Sequence, residues 1–106
     1  GCLDLERSSF KDIDPAIRLR AVHAAGEAGD RGAIPHLIVG LLSDDPAERM
    51  FSIRTLERLT GQTLGYEHSA PRPERLAAAE RWQVWYASQT PATDRPPAPP
   101  TTERPA

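Results

Sequence analysis

The sequence predicts an all-α fold, a short α-solenoid of antiparallel helix pairs, on three observations. First, Asp14-Pro15-Ala16-Ile17-Arg18-Leu19 aligns with Asp45-Pro46-Ala47-Glu48-Arg49-Met50 at an offset of 31 residues, with four of the six positions identical. Second, apolar residues between and after these segments recur at spacings of three and four, the period of a helix. Third, each copy opens on Asp-Pro, an acceptor side chain at the N-cap followed by a residue whose missing N–H costs nothing there. The correspondence continues as similarity, Ala21 with Ser52, Val22 with Ile53 and Ala28 with Leu59. A period near 30 built on helices is the signature of stacked repeats.

The elements follow in chain order. Residues 1–13 form an N-terminal segment in which Leu5, Phe10 and Ile13 are expected to make a short turn over the first repeat. The repeat domain spans 14–90. Its first helix starts at Pro15 with Ile17, Ala21, Ala24, Ala25 and Ala28 on the inward face, and it stops at Gly29, with Asp30-Arg31-Gly32 as the turn. Gly26 within it permits close helix packing. The second helix runs from about Ala33 to Leu42, where Ile34, Leu37, Ile38, Leu41 and Leu42 form a stripe and Pro35 sits harmlessly in the first turn. Asp44 and Asp45 cap a third helix, Pro46 to about Thr60, in which Met50, Phe51, Ile53, Leu56 and Leu59 cover more than half the circumference. Gly61 ends it. Residues 61–73 read as a loop whose Leu64 and Tyr66 pack back on the helices. A last helix, about Glu74 to Ser88, turns Leu76, Ala79, Trp82 and Tyr86 inward and closes the stack. Residues 91–106 hold six of the eleven prolines and no aromatic residue. Such a composition does not offset its ordering entropy, so a disordered tail is expected.

Composition narrows the function classes. The formal charge of the 106 residues is −2, from 13 basic and 15 acidic side chains spread along the chain. Lys11 is the only lysine among the basic residues. No block of like charge favours a phosphate backbone or an anionic membrane. Cys2 is the sole cysteine, which excludes an intrachain disulfide. No apolar run approaches the ~18 residues of a membrane span.

Two stretches carry a family resemblance. Ile17-Arg18-x-x-Ala21-Val22-x-Ala24-Ala25-Gly26-Glu27-Ala28-Gly29-Asp30, then Ala33-Ile34-Pro35-x-Leu37-Ile38 and Leu41-Leu42, resembles the HEAT-like repeat named after phycobilisome lyases. Ala25 departs from it, since a Leu before the glycine is usual, and so does Glu48, where the repeat has an apolar residue. The later stretch Leu56-Glu57-Arg58-Leu59-Thr60-Gly61-Gln62-x-x-Gly65-Tyr66, with Pro73-x-Arg75 and Glu80-Arg81-Trp82-x-x-Trp85, is similar to the end of small bacterial HEAT-repeat proteins, many of them lipoprotein-like and without an assigned role. The resemblance implies a right-handed stack of antiparallel helix pairs with a protein-binding surface. It implies no lyase chemistry, and no bilin-binding residue carries over.

Gly1-Cys2 matches the end of a bacterial lipobox, a small residue before the cysteine that becomes lipidated. On that reading the protein is tethered to the bacterial cell envelope through Cys2. On the blander one a tag-derived glycine precedes an ordinary thiol, and the protein is cytoplasmic.

The chain offers little for catalysis. His23, His36 and His68 fall on three elements, and only His23 and Glu27, one turn apart, would make half a metal site. Ser8, Ser9, Ser43, Ser52, Ser69 and Ser88 lack a recognisable base, and Asp44-Asp45 is explained by capping. No catalytic, cofactor-binding or metal-binding residue is assigned, and no cofactor is expected. Arg18 and Arg49 recur in register, which points to a structural job, pairing with the capping Asp14 and Asp45 one turn earlier. Trp82 and Tyr86 read as core, whereas Trp85 reads as an exposed anchor that, with Arg54 and Arg58, faces a partner. The expected function is therefore a non-catalytic protein–protein interaction or scaffold module with an unidentified protein partner. Two rivals stand beside it. One is an accessory or lyase-like protein acting on a tetrapyrrole carrier, the other a nucleic-acid-binding helical repeat.

Overall fold

A computed structural model describes residues 9–89. The expectations placed on Cys2, Leu5, Ser8 and the tail from Pro91 lie outside the described residues. The fold is all-α: helices α1 (Pro15–Ala28), α2 (Ile34–Gly40), α3 (Pro46–Thr60) and α4 (Arg72–Gln89), with short 3-10 turns at Ser9–Lys11 and Arg31–Ala33 and no strand among the described residues. α1 packs chiefly against α3, while α2 packs against both α3 and α4.

The repeated Asp-Pro starts have nearly the same geometry. Asp14 (φ −83°, ψ 117°) accepts from the Ala16 amide, and Asp45 (φ −85°, ψ 114°) accepts from the Ala47 amide. The helix ends differ. Gly29 (φ 64°) closes α1 in a Schellman arrangement, with the Asp30 amide on the Ala25 carbonyl and the Gly29 amide on the Gly26 carbonyl. Gly61 (φ 79°) closes α3 with one bond, its amide on the Glu57 carbonyl at 2.7 Å.

The core gathers Val22 from α1, Ile34, Leu37, Ile38 and Leu41 from α2 and its exit turn, Ile53 and Leu56 from α3, and Ala78, Ala79 and Trp82 from α4. Tyr66 joins it from the loop between α3 and α4 and donates from its hydroxyl to the Leu41 carbonyl at 2.7 Å, so that loop does pack back on the helices. Two close helix approaches depend on missing side chains. A Cβ at Gly26 would come 3.3 Å from Thr55 Cγ2 across the α1–α3 contact, and one at Gly40 would land on Ser52 Oγ across the α2–α3 contact.

Several expected faces are corrected. α1 turns Val22, Ala25 and Gly26 inward, while Ala24 and Ala28 are exposed. Alanine methyls carry too little apolar area to choose a face, and Val22 with the gap at Gly26 decides it. α2 ends at Gly40; Leu41 in the exit turn stays in the core, while Leu42 is left exposed. Phe51 and Leu76 are each more than two-fifths exposed rather than core. Ile13 is 93% exposed, whereas Phe10 packs on the core, its ring stacked on that of His36 at 4.9 Å and 5°.

The recurring arginines do a structural job, but not with the capping aspartates. Arg18 Nη1 donates to the carbonyls of Asp12 (2.7 Å) and Ile13 (3.2 Å), and Arg49 Nη1 donates to the carbonyl of Ser43 (3.0 Å). Asp12 and Ser43 occupy the same place in the two repeats, six residues before the arginine. Asp14 and Asp45 accept instead from their own helix starts. Each arginine then reaches onward with Nε, Arg18 to Glu48 Oε1 at 3.0 Å and Arg49 to the His68 carbonyl at 3.2 Å. Glu48 is 9% exposed and also accepts from Ser43 Oγ at 2.9 Å. Both donors thus meet the same oxygen of the Glu48 carboxylate.

Candidate functional site

The site lies where the α3–α4 loop meets the outer side of α4. Thr63, Leu64, Gly65 and Tyr66 form a tight turn, closed by the Tyr66 amide on the Thr63 carbonyl at 3.1 Å. Its central residues are both left-handed, Leu64 at φ 54° and Gly65 at φ 80°. Gly65 adopts that conformation freely, and a Cβ there would press on Arg81 Nη2 at 2.8 Å. Leu64 has a Cβ, and holding it left-handed costs about 1–2 kcal/mol.

Two adjacent residues of α4 hold two adjacent carbonyls of this turn. Arg81 Nε donates to the Leu64 carbonyl and Trp82 Nε1 to the Thr63 carbonyl, both at 2.8 Å. Trp82 is fully buried, and its indole is the fixed end of the clamp. Further along the loop, Arg75 Nη1 reaches the Ala70 carbonyl at 3.3 Å. The loop is therefore fastened to α4 through its backbone carbonyls.

The clamp leaves a groove of ≈ 350 Å³ between turn and helix, lined by Leu64, Ala77, Glu80, Arg81, Val84 and Trp85. Four of the six are apolar, and Glu80 and Arg81 supply one charge of each sign. Val84 is 64% exposed at the groove. Trp85, expected as an exposed anchor, is half-buried, edge-on to Trp82 at 5.4 Å and 80°. Tyr86 is half-buried against the same core. The groove can hold an apolar side chain or a narrow extended strand of chain, and Trp85 offers it a rigid aromatic surface.

The other sequence-derived candidates do not line this groove. Arg54 is exposed on α3. Arg58 pairs with Glu27 of α1 at 3.1 Å, with both side chains more than half exposed. Among the described residues no group of three or more His, Cys, Asp and Glu is placed to hold a metal. His23 is exposed, His36 stacks on Phe10, and His68 contributes its backbone carbonyl. Asp44 lies 3.8 Å from Arg72 at the surface, and Ser88 Oγ donates to the Trp85 carbonyl. Ser52 Oγ is buried without a hydrogen-bond partner, facing Gly40 across a helix contact rather than a cavity.

Tyr66 has its hydroxyl pKa raised above the ordinary 10.0, because burial disfavours the phenolate more than the nearby Arg49 and Arg75 charges favour it. No helix of the described residues is long and apolar enough to cross a membrane. Comparison with protein families, with curated proteins and with solved structures finds no significant match for this chain.

Proposed function

We propose that the protein is a non-catalytic docking module, two HEAT-like helix pairs stacked as a short right-handed solenoid, α1 with α2 and α3 with α4, that captures an extended apolar segment of a partner protein in the α4 groove. The stacked-pair reading is supported by the paired caps at Asp14 and Asp45, by the matching reach of Arg18 and Arg49 to carbonyls six residues back, and by α1 lying on α3 across the sequence repeat, with α2 lying chiefly on α3 and less on α4. The outer side of α4 carries the groove.

One observation carries the docking role: an exposed apolar groove built on a left-handed leucine and lined by Trp85, which packs edge-on against the buried Trp82. A strained residue persists where surroundings over-determine it, and such residues gather at binding sites. An aromatic seated in a rigid surface is also the residue type that anchors interfaces.

Site-specific photo-crosslinking in the producing cell tests this. A photoreactive residue at Val84 should give a discrete protein adduct that disappears in the Trp85→Ala background, and the same probe at Ala16 should give none. Equal adducts at both positions, or none at Val84, would reject the groove as the docking surface. Adding haem or a bilin to the purified chain should leave the absorbance of the pigment unchanged. A shifted band would favour the tetrapyrrole-carrier reading instead.

A further inference from the structure

We propose that the outer face shared by α1 and α3 is a second docking surface, and that its occupant is a short acidic segment of a protein. The inference goes beyond the α4 groove and rests on other residues.

The register of the two helices builds this face. α1 meets α3 through Arg18 on Glu48, through the close approach of Gly26 to Thr55, and through Glu27 on Arg58. The two ion pairs join residues 30 and 31 positions apart, so the helices run in the same direction with the sequence repeat in register. By that register Arg20 stands level with Phe51, and His23 level with Arg54. Spacings of three and four put Arg20, His23 and Glu27 on one side of α1, and Phe51, Arg54 and Arg58 on one side of α3. The Glu27–Arg58 pair bridges those two sides, which makes them a single face. Arg20, His23, Phe51 and Arg54 are all exposed on it.

The charge of this face differs from that of the chain, whose net formal charge is −2. Glu27 is the one acidic residue of α1, and Arg58 pairs with it. On α3, Glu48 is turned inward to Arg18 and Ser43. Glu57 lies two residues on from Thr55 and so on the flank away from α1. Arg20 and Arg54 are left with no hydrogen bond or ion pair among the described residues. Phe51, two-fifths exposed, stands one turn from Arg54 and level with Arg20.

Two guanidiniums without acceptors, set around an exposed ring, fit carboxylates on either side of an apolar residue. The arginine fork matches carboxylate geometry, and arginine clusters are a recurring means of reading acidic motifs. From Arg20 to Glu27 the face runs about 10 Å along α1, at 1.5 Å per residue. That is the length of about three extended residues, and it ends one turn short of Ala16. A nucleic-acid backbone fits less well, because its affinity grows with the number of phosphates neutralised. Arg54, expected from the sequence to face a partner, belongs to this face rather than to the α4 groove.

Fluorescence anisotropy with the purified full-length chain tests the proposal. The probe is a dye-labelled, end-capped Gly-Asp-Leu-Asp-Gly peptide, with Gly-Asn-Leu-Asn-Gly as the neutral control. The acidic peptide should bind, more weakly as salt is added, and the neutral one should not. Arg54→Glu should weaken binding about tenfold, and Arg20→Gln or Phe51→Ala about threefold. Arg72→Gln, an exposed charge on α4, should leave it unchanged. The replaced side chains are exposed, so matching thermal unfolding of Arg54→Glu and the unaltered chain separates lost binding from lost fold. Amide shifts on titration should centre on Arg20, His23, Phe51 and Arg54, and not on Val84 and Trp85. Failure of the acidic peptide to bind, equal binding of the neutral peptide, or full affinity in Arg54→Glu would each overturn the proposal. So would an equal loss in Arg72→Gln, shifts centred on Val84 and Trp85, or tighter binding of a short single-stranded oligonucleotide.

Discussion

Glu48 links the two Asp-Pro segments of the sequence through Arg18. It is nearly enclosed, and it takes hydrogen bonds from Arg18 Nε and Ser43 Oγ. Glu48→Ala removes a charged acceptor from a part-buried pair while Arg18 keeps its carbonyl partners, so it should lower stability by about 2 kcal/mol in chemical denaturation. Arg58→Ala, which breaks only the exposed pair with Glu27, should cost less than about 1 kcal/mol. Gly40 and Ser52 form a second dependent pair. Gly40→Ala should destabilise strongly, and adding Ser52→Gly should recover part of the loss, measured as a coupling in a double-mutant cycle. The sign of the alkaline response follows from Tyr66. Its folded pKa is raised, so its contribution is complete below pH 10.0 and disappears as pH climbs through the folded value. Tyr66→Phe should remove that part of the alkaline loss, although at neutral pH it also forfeits the bond to the Leu41 carbonyl. At this scale the sequence made the structural role of Arg18 and Arg49 legible through their recurrence. Their partners were not legible, because an i, i+4 spacing points to the capping aspartates while a guanidinium also reaches carbonyls six residues back.

Helix starts and stops were the most legible elements, since each rests on one or two local residues. Asp-Pro opens α1 and α3, and Gly29 and Gly61 close them, as local chemistry dictates. The two caps have the same geometry, so Asp14→Ala and Asp45→Ala should each cost about 1 kcal/mol. Unequal losses in thermal unfolding would show that the repeat is one of sequence and not of energetics. Faces were less legible than ends. The alanine-rich α1 gave no dominant apolar stripe, and its inward side was set by Val22 and by the fit of Gly26 to Thr55. Leu76 and Phe51 are exposed because their neighbours in space, not in sequence, decide burial. The groove belongs to this class. Leu64 could be expected to fold back, but that Arg81 and Trp82 would seize consecutive carbonyls and leave a cleft depends on how the loop meets α4.

For the molecule as a whole, the all-α class and the order of four helices followed from period, caps and breakers, whereas the site followed from tertiary contact. What remains is the direction in which the arginines reach. Arg18 finds its second partner 30 positions later, in Glu48, and Arg49 finds its own 19 positions later, at His68. During synthesis, therefore, neither guanidinium can complete its grip until a later stretch has left the ribosome. Each pair waits for its successor. Loss of material from the carboxyl side should unravel the protein backwards, while loss from the amino side should leave Arg49 with both of its acceptors.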